Sequence, residues 1–102
     1  MKRYILSPQA TQDISAIRSY LVEVGGVRAA RYVVREIKKN LDFLSRTPGA
    51  GHSREDLTAV DIKFWSVFSY LIVYNPVTRS LEIVRVLHGR REVEAILAED
   101  EG

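Results

Sequence analysis

Two adjacent glycines, Gly25 and Gly26, interrupt the longest amphipathic pattern in the sequence and constrain its fold more than any other feature. Apolar residues recur every three or four positions over residues 8–24, and the same spacing returns over residues 27–44. This spacing predicts two helices, each with one apolar stripe. The glycines between them predict a turn, so we expect an antiparallel helical hairpin whose stripes face each other and a sheet.

Short apolar runs flank this hairpin and predict strands over residues 3–6, 60–67, 68–75 and 80–87. Ser7-Pro8 predicts the N-terminus of the first helix, with Ser7 as N-cap. A breaker segment over residues 47–53 ends the second helix, and residues 90–99 predict a short terminal helix. The order β-α-α-β-β-β-α indicates one α+β domain over residues 1–102, in which an antiparallel sheet packs on an N-terminal helical hairpin.

Composition excludes several classes of site. The sequence has no cysteine and only two histidines, His52 and His88, so a thiolate or histidine-rich metal site is excluded, and we expect no metal or cofactor. Gly49-Ala50-Gly51 lacks the surroundings of a phosphate-binding loop. With no membrane-length apolar run and no apolar leader at the N-terminus, we expect a cytoplasmic protein that does not interact with a membrane.

The predicted strands carry more apolar surface than a hairpin on one face of the sheet can cover. Residues 70–74 are apolar at both odd and even positions, and so are the pairs Ile83-Val84 and Val86-Leu87. A sheet with one solvated face should alternate apolar and polar residues. The pattern therefore favours a second face, or a groove beside it, that another chain covers, although a small domain that covers this surface itself would show the same residues.

One cationic cluster could carry chemistry. Its candidate residues lie at the end of the last strand and the start of the terminal helix, with two more from the preceding strand and loop: Arg85, His88, Arg90, Arg91, Lys63 and Arg54. Such a set can bind phosphate and assist phosphodiester cleavage, or bind a partner without catalysis. An arginine between apolar neighbours, such as Arg85, can equally pair with a carboxylate. The adjacent aromatic residues Phe64 and Trp65 can stack on a nucleobase, or they can pack in the core or contact an antitoxin.

The chain resembles ParE-type toxins of the RelE/ParE superfamily. Residues 64–74 are similar to the middle strands of these toxins, and residues 83–92 resemble their closing "RVLHGRRD"-like signature. Residues 7–20 resemble the family's first helix, and residues 47–51 match its Pro-Gly linker. The resemblance implies a β-α-α-β-β-β core and a toxin of a type II toxin–antitoxin system.

The resemblance also implies a cognate antitoxin that wraps a helix and a strand around the toxin as a hetero-oligomer. Candidate antitoxin-binding residues are Phe64, Trp65, Tyr70, Ile72, Tyr74, Val84 and Val86. ParE-like members inhibit DNA gyrase, whereas RelE-like members cleave messenger RNA on the ribosome. Aligned with the ribonucleases, Glu94 falls at a tyrosine position and His88 at a catalytic arginine position. These departures favour a gyrase inhibitor with no catalytic residue and no sequence-specific DNA binding of its own; ribosome-dependent RNA cleavage is the alternative.

Overall fold

The computed structural model describes residues 4–53, 62–76 and 80–88. Strand β1 (Tyr4–Leu6) leads into the long helix α1 (Pro8–Arg46), and a 3-10 turn (Pro48–Ala50) follows. The remaining strands are β2 (His52–Ser53), β3 (Lys63–Val67), β4 (Tyr70–Asn75) and β5 (Leu81–His88). The predicted terminal helix over residues 90–99 lies outside the described residues.

The predicted break between the two helices is present within α1. Gly26 has φ 89° and ψ 168°, a backbone conformation outside the helical region that a side chain would disfavour. The kink divides α1 into a first half, residues 8–25, and a second half, residues 27–46. Both halves contribute buried residues to one core cluster, so both pack on the sheet as predicted.

The ends of α1 follow from local chemistry. The Ser7 hydroxyl accepts a hydrogen bond from the Ala10 N–H at 2.9 Å, and Pro8 occupies the first helical position, as the sequence predicts. At the other end, the Thr47 N–H donates to the carbonyls of Phe43 and Leu44, and Pro48 prevents continuation of the helix.

The five strands form one sheet in the order β1-β5-β4-β3-β2. The meander from β2 to β5 is antiparallel, but β1 pairs with β5 in parallel, from Tyr4 opposite Leu81 to Leu6 opposite Ile83. This corrects the expectation of a purely antiparallel sheet. The sheet also includes β2, which the sequence pattern placed in a breaker segment because two residues are too few to show alternation.

The sheet has two apolar faces. The helix-covered face contains Tyr70, Ile72 and Tyr74, which pack with both halves of α1. The opposite face contains a second cluster of Phe64, Val73 and Leu87, to which no residue of α1 contributes. The double-sided apolar pattern of β4 therefore corresponds to two separate clusters, one on each face.

Candidate functional site

Arg85, the central residue of the predicted cationic cluster, is bound by a carboxylate from α1. Its Nε and Nη2 atoms donate to the two oxygens of Asp13 at 2.7 and 2.9 Å, and the Val86 N–H donates to the same carboxylate at 3.0 Å. A bidentate arginine–carboxylate pair is among the strongest polar contacts in proteins. We name Asp13, Arg85 and the Val86 N–H the β5 clamp.

The β5 clamp forms where β1 stops pairing with β5. Beyond Leu6 the chain turns into α1, and β5 loses its neighbour on that side. The Ser7 N–H donates to the Ile83 carbonyl at 3.0 Å and the Ser7 hydroxyl donates to the Val84 carbonyl at 2.7 Å. Together with the clamp, these bonds take the place of the missing strand, because buried backbone groups need partners.

The other described members of the predicted cluster do not assemble with one another. Lys63 lies opposite Tyr74 in the sheet, whereas His88 lies opposite Tyr70. Four residues of strand separate these two positions, a distance of about 13 Å. The strand register therefore keeps Lys63 away from His88, which corrects the expectation that Lys63 could approach the cluster. The Lys63 Nζ instead lies 3.4 Å from the Ser53 hydroxyl.

His88 occupies the end of β5 beside two tyrosines. Its ring centroid lies 4.9 Å from that of Tyr70, and a crevice of about 180 Å³ joins both rings to Tyr20 and Asp13. Burial raises the pKa of Tyr70, and the neighbouring Tyr20 raises it further. Tyr70 is therefore a neutral hydrogen-bonding group near pH 7. Arg54, Arg90 and Arg91 lie outside the described residues.

Most of the predicted antitoxin-binding side chains belong to the interior of this chain. Ile72, Tyr74 and Val86 lie in the core under α1, which corrects the expectation that they offer surface to a partner. The Tyr74 hydroxyl donates to the Pro48 carbonyl at 2.8 Å and accepts from the Gly51 N–H at 2.9 Å. The periodicity could not show this, because the contacts come from a turn distant in sequence.

The adjacent aromatic residues Phe64 and Trp65 lie on opposite faces of the sheet. Phe64 is buried in the second cluster, against which Val84 also packs, whereas Trp65 is half-buried against the second half of α1. The Trp65 indole N–H donates to the Asn40 side-chain oxygen at 2.8 Å, and its ring lies 5.3 Å from that of Phe43. Trp65 therefore serves mainly to join the sheet to the helix.

An open cavity lies between the two halves of α1. Its volume is about 630 Å³, and its apolar lining consists of Val22, Val27, Ala30 and Val34. Val27 is 59% exposed and the nearby Val24 is 62% exposed, although the spacing predicted both in the apolar stripes. The stripes continue toward the Gly26 kink, where Val24 and Val27 are not buried against any of the described strands. We name this cavity the helix groove.

The rim of the helix groove is strongly positive. Five cationic side chains and a single acidic one line it: Arg18, Arg31, Arg35, Lys38, Lys39 and Asp42. Lys39 pairs with Glu36 at 3.2 Å, an exposed contact that adds little stability. The groove therefore combines an apolar floor with a rim of net positive charge, although the whole chain carries a net charge of only +2.

The described residues provide no obvious inorganic site or membrane span. Within residues 4–53, 62–76 and 80–88, no three side chains of histidine, aspartate or glutamate come together as metal ligands. Across these same ranges, no helix is both long and apolar enough to cross a bilayer.

Comparison with known proteins identifies the family. The profile described as "ParE toxin of type II toxin-antitoxin system, parDE" matches residues 4–93. The chain belongs to the ParE toxin family. A search of curated protein sequences gave no significant match. A solved structure titled "Chromosomal ParDE TA system from P. aeruginosa" is similar to this ParE toxin with a TM-score of 0.73 and 17% identity, over 88% of this chain and 98% of that one.

At this level of identity, the solved structure supports the α+β fold of the ParE toxin and not individual residue roles. The order of elements expected from the sequence is confirmed for the described residues. The β5 clamp and the helix groove are features of this chain's own side chains.

Proposed function

We propose that this ParE toxin inhibits DNA gyrase by binding it, in the cytoplasm, and is neutralised by a cognate antitoxin. The observation that carries the proposal is the separation of those residues of the predicted cluster that the structure describes. Arg85 is held by Asp13, and Lys63 lies at the opposite end of the sheet from His88. Phosphodiester cleavage needs a base, an acid and positive charge around one phosphate.

The target-binding surface that we propose begins at the end of β5. His88 is exposed there, and Arg90 and Arg91 follow it in the sequence. The β5 clamp fixes the direction in which β5 ends, because it ties the strand to α1 immediately before His88. Arg85 thus positions this surface instead of touching the target.

A supercoiling assay with antitoxin-free toxin tests the gyrase proposal. We expect inhibition by the wild-type chain, and we expect Arg90→Ala and Arg91→Ala to weaken it while the circular dichroism spectrum stays unchanged. Arg46→Ala, at the far end of α1, is the matched control. Full supercoiling in the presence of folded wild-type toxin would reject gyrase as the direct target.

We further propose that the antitoxin inserts an amphipathic, acidic segment into the helix groove. Val22, Val27 and Val34 supply an apolar floor, and the cations of the rim favour carboxylates on the inserted segment. An exposed apolar patch with a polar rim marks a binding site for a protein, a ligand or a membrane, and the charged rim here favours a protein partner. The second sheet face, which the sequence favoured, is less accessible because Phe64, Val73 and Leu87 are already buried.

Charge reversal on the groove rim tests this placement. Arg35→Glu and Lys38→Glu should each weaken antitoxin binding by at least about 10-fold and make its loss with salt less steep, since each replaces an attraction that salt screens by a repulsion. Arg28→Glu is the matched control, because Arg28 is exposed on the same half of α1 but does not line the groove. Equal affinities for all three variants, measured by calorimetry, would place the antitoxin elsewhere.

A further inference from the structure

The turn between β3 and β4 holds an exposed aromatic residue in an unfavourable backbone conformation. Val67 pairs with Tyr70, so Phe68 and Ser69 form a two-residue hairpin turn. Phe68 has φ 56°, a left-handed value that turns normally assign to glycine or asparagine, and its side chain is 58% exposed. A bulky residue at such a position costs stability, and burial does not compensate for it.

A second exposed aromatic ring lies beside Phe68. Tyr32, in the second half of α1, is 55% exposed, and its ring centroid lies 6.0 Å from that of Phe68 with the planes tilted by 42°. The two rings come from a helix and a hairpin turn, so the fold and not local sequence brings them together. We name them the aromatic pair.

Exposed arginines lie beside Tyr32 along α1. Arg28 and Arg35 lie one turn before and one turn after Tyr32 on the same face of α1, and Arg31 precedes it directly. All three are exposed, and none forms an ion pair with another described residue. Glu36, the nearest acidic residue along this face, already pairs with Lys39.

We infer that the aromatic pair, with Arg28 and Arg35, forms a binding site for single-stranded DNA that is not specific for sequence. Exposed rings offer stacking platforms for bases, and guanidinium groups beside them match the phosphates that link those bases. An apolar protein partner would leave the arginines without counter-charges, and duplex DNA would leave the rings without exposed bases. The choice of DNA over RNA rests on the proposed function, since the proposed target acts on DNA.

Fluorescence anisotropy with a labelled oligodeoxythymidine of about 12 nucleotides, within the usual site size, tests the inference without gyrase. The wild-type chain should bind it more tightly than a duplex of equal length, with an affinity that falls as salt rises. Tyr32→Ala and Phe68→Gly should each weaken binding about 10-fold. Phe68→Gly should also keep the fold, because glycine accepts a left-handed φ.

Tyr20→Ala is the matched control, because Tyr20 is a similarly exposed tyrosine, at 54%, on the other half of α1. Its affinity should remain that of the wild type. Unchanged binding by the Tyr32 and Phe68 variants, or equal binding of duplex and single strand, would overturn the inference. Tighter binding of oligouridine would overturn the choice of DNA, and displacement by polyglutamate at equal charge concentration would reassign the surface to an acidic protein.

Discussion

Replacing Asp13 by asparagine should destabilise this ParE toxin far more than an ordinary surface change. The Asp13 carboxylate accepts bonds from Arg85 Nε, Arg85 Nη2 and the Val86 N–H, and the two charged side chains are only 14% and 25% exposed. Asparagine retains one acceptor oxygen, so the charge and part of this set are lost. The part of β5 that lies beyond its pairing with β1 then loses this carboxylate as the acceptor for its Val86 N–H.

The magnitude follows from the geometry of the clamp. Hydrogen bonds to charged groups contribute about 1.5–3 kcal/mol each, and removing one partner of a buried ion pair costs about 3–5 kcal/mol. Partial exposure lowers this value, so we expect Asp13→Asn to reduce the free energy of unfolding by about 3 kcal/mol. For a chain of this size the melting temperature should fall by more than about 10 °C.

Urea denaturation measures this change directly. Asp42→Asn is the matched control, because Asp42 is an exposed aspartate on the same helix, and it should stay within about 0.5 kcal/mol of wild type. A double-mutant cycle of Asp13→Asn with Arg85→Met should show strong coupling. An Asp13→Asn protein as stable as the Asp42→Asn control would refute the role assigned to the clamp.

Two further predictions concern Tyr74. A Cβ at Gly51 would overlap the Tyr74 hydroxyl, so Gly51→Ala should cost at least about 2 kcal/mol in a urea melt, whereas Gly49→Ala, which meets open space, should be nearly neutral. Burial raises the pKa of Tyr74 despite the opposing Gly51 N–H bond. In the unfolded chain Tyr74 loses its proton near pH 10, whereas in the folded chain it still retains the proton at that pH. The contribution of Tyr74 to the free energy of unfolding should therefore be fully present below pH 10 and be lost as the pH rises through the folded pKa. A Tyr74→Phe protein with an equally steep alkaline loss would contradict this.

Local patterns in the sequence predicted the helices and the order of strands. Apolar spacing and the Gly25-Gly26 break located both halves of α1, and Ser7-Pro8 located its start, because these signals depend on neighbouring residues alone. The parallel pairing of β1 with β5 brings together segments more than seventy residues apart. No local periodicity encodes that pairing.

The candidate site was less predictable for the same reason. Sequence grouped Arg85, His88 and Lys63 by residue type, but strand register separates Lys63 from His88, and Asp13 binds Arg85. The helix groove was missed because apolar spacing cannot show where a helix extends past the sheet. The signal available in the sequence was the position of Val24 and Val27 beside the two glycines, since the tip of a helical hairpin often projects from the core.

The most direct test of the gyrase proposal compares two reactions with one preparation of antitoxin-free toxin. One reaction contains gyrase and relaxed plasmid, and the other contains ribosomes translating a messenger RNA. We expect the toxin to inhibit gyrase and trap cleaved DNA, to stop doing so when antitoxin is added, and to leave the RNA intact. Cleaved messenger RNA with unaffected gyrase would contradict the account and establish the ribosome as the target.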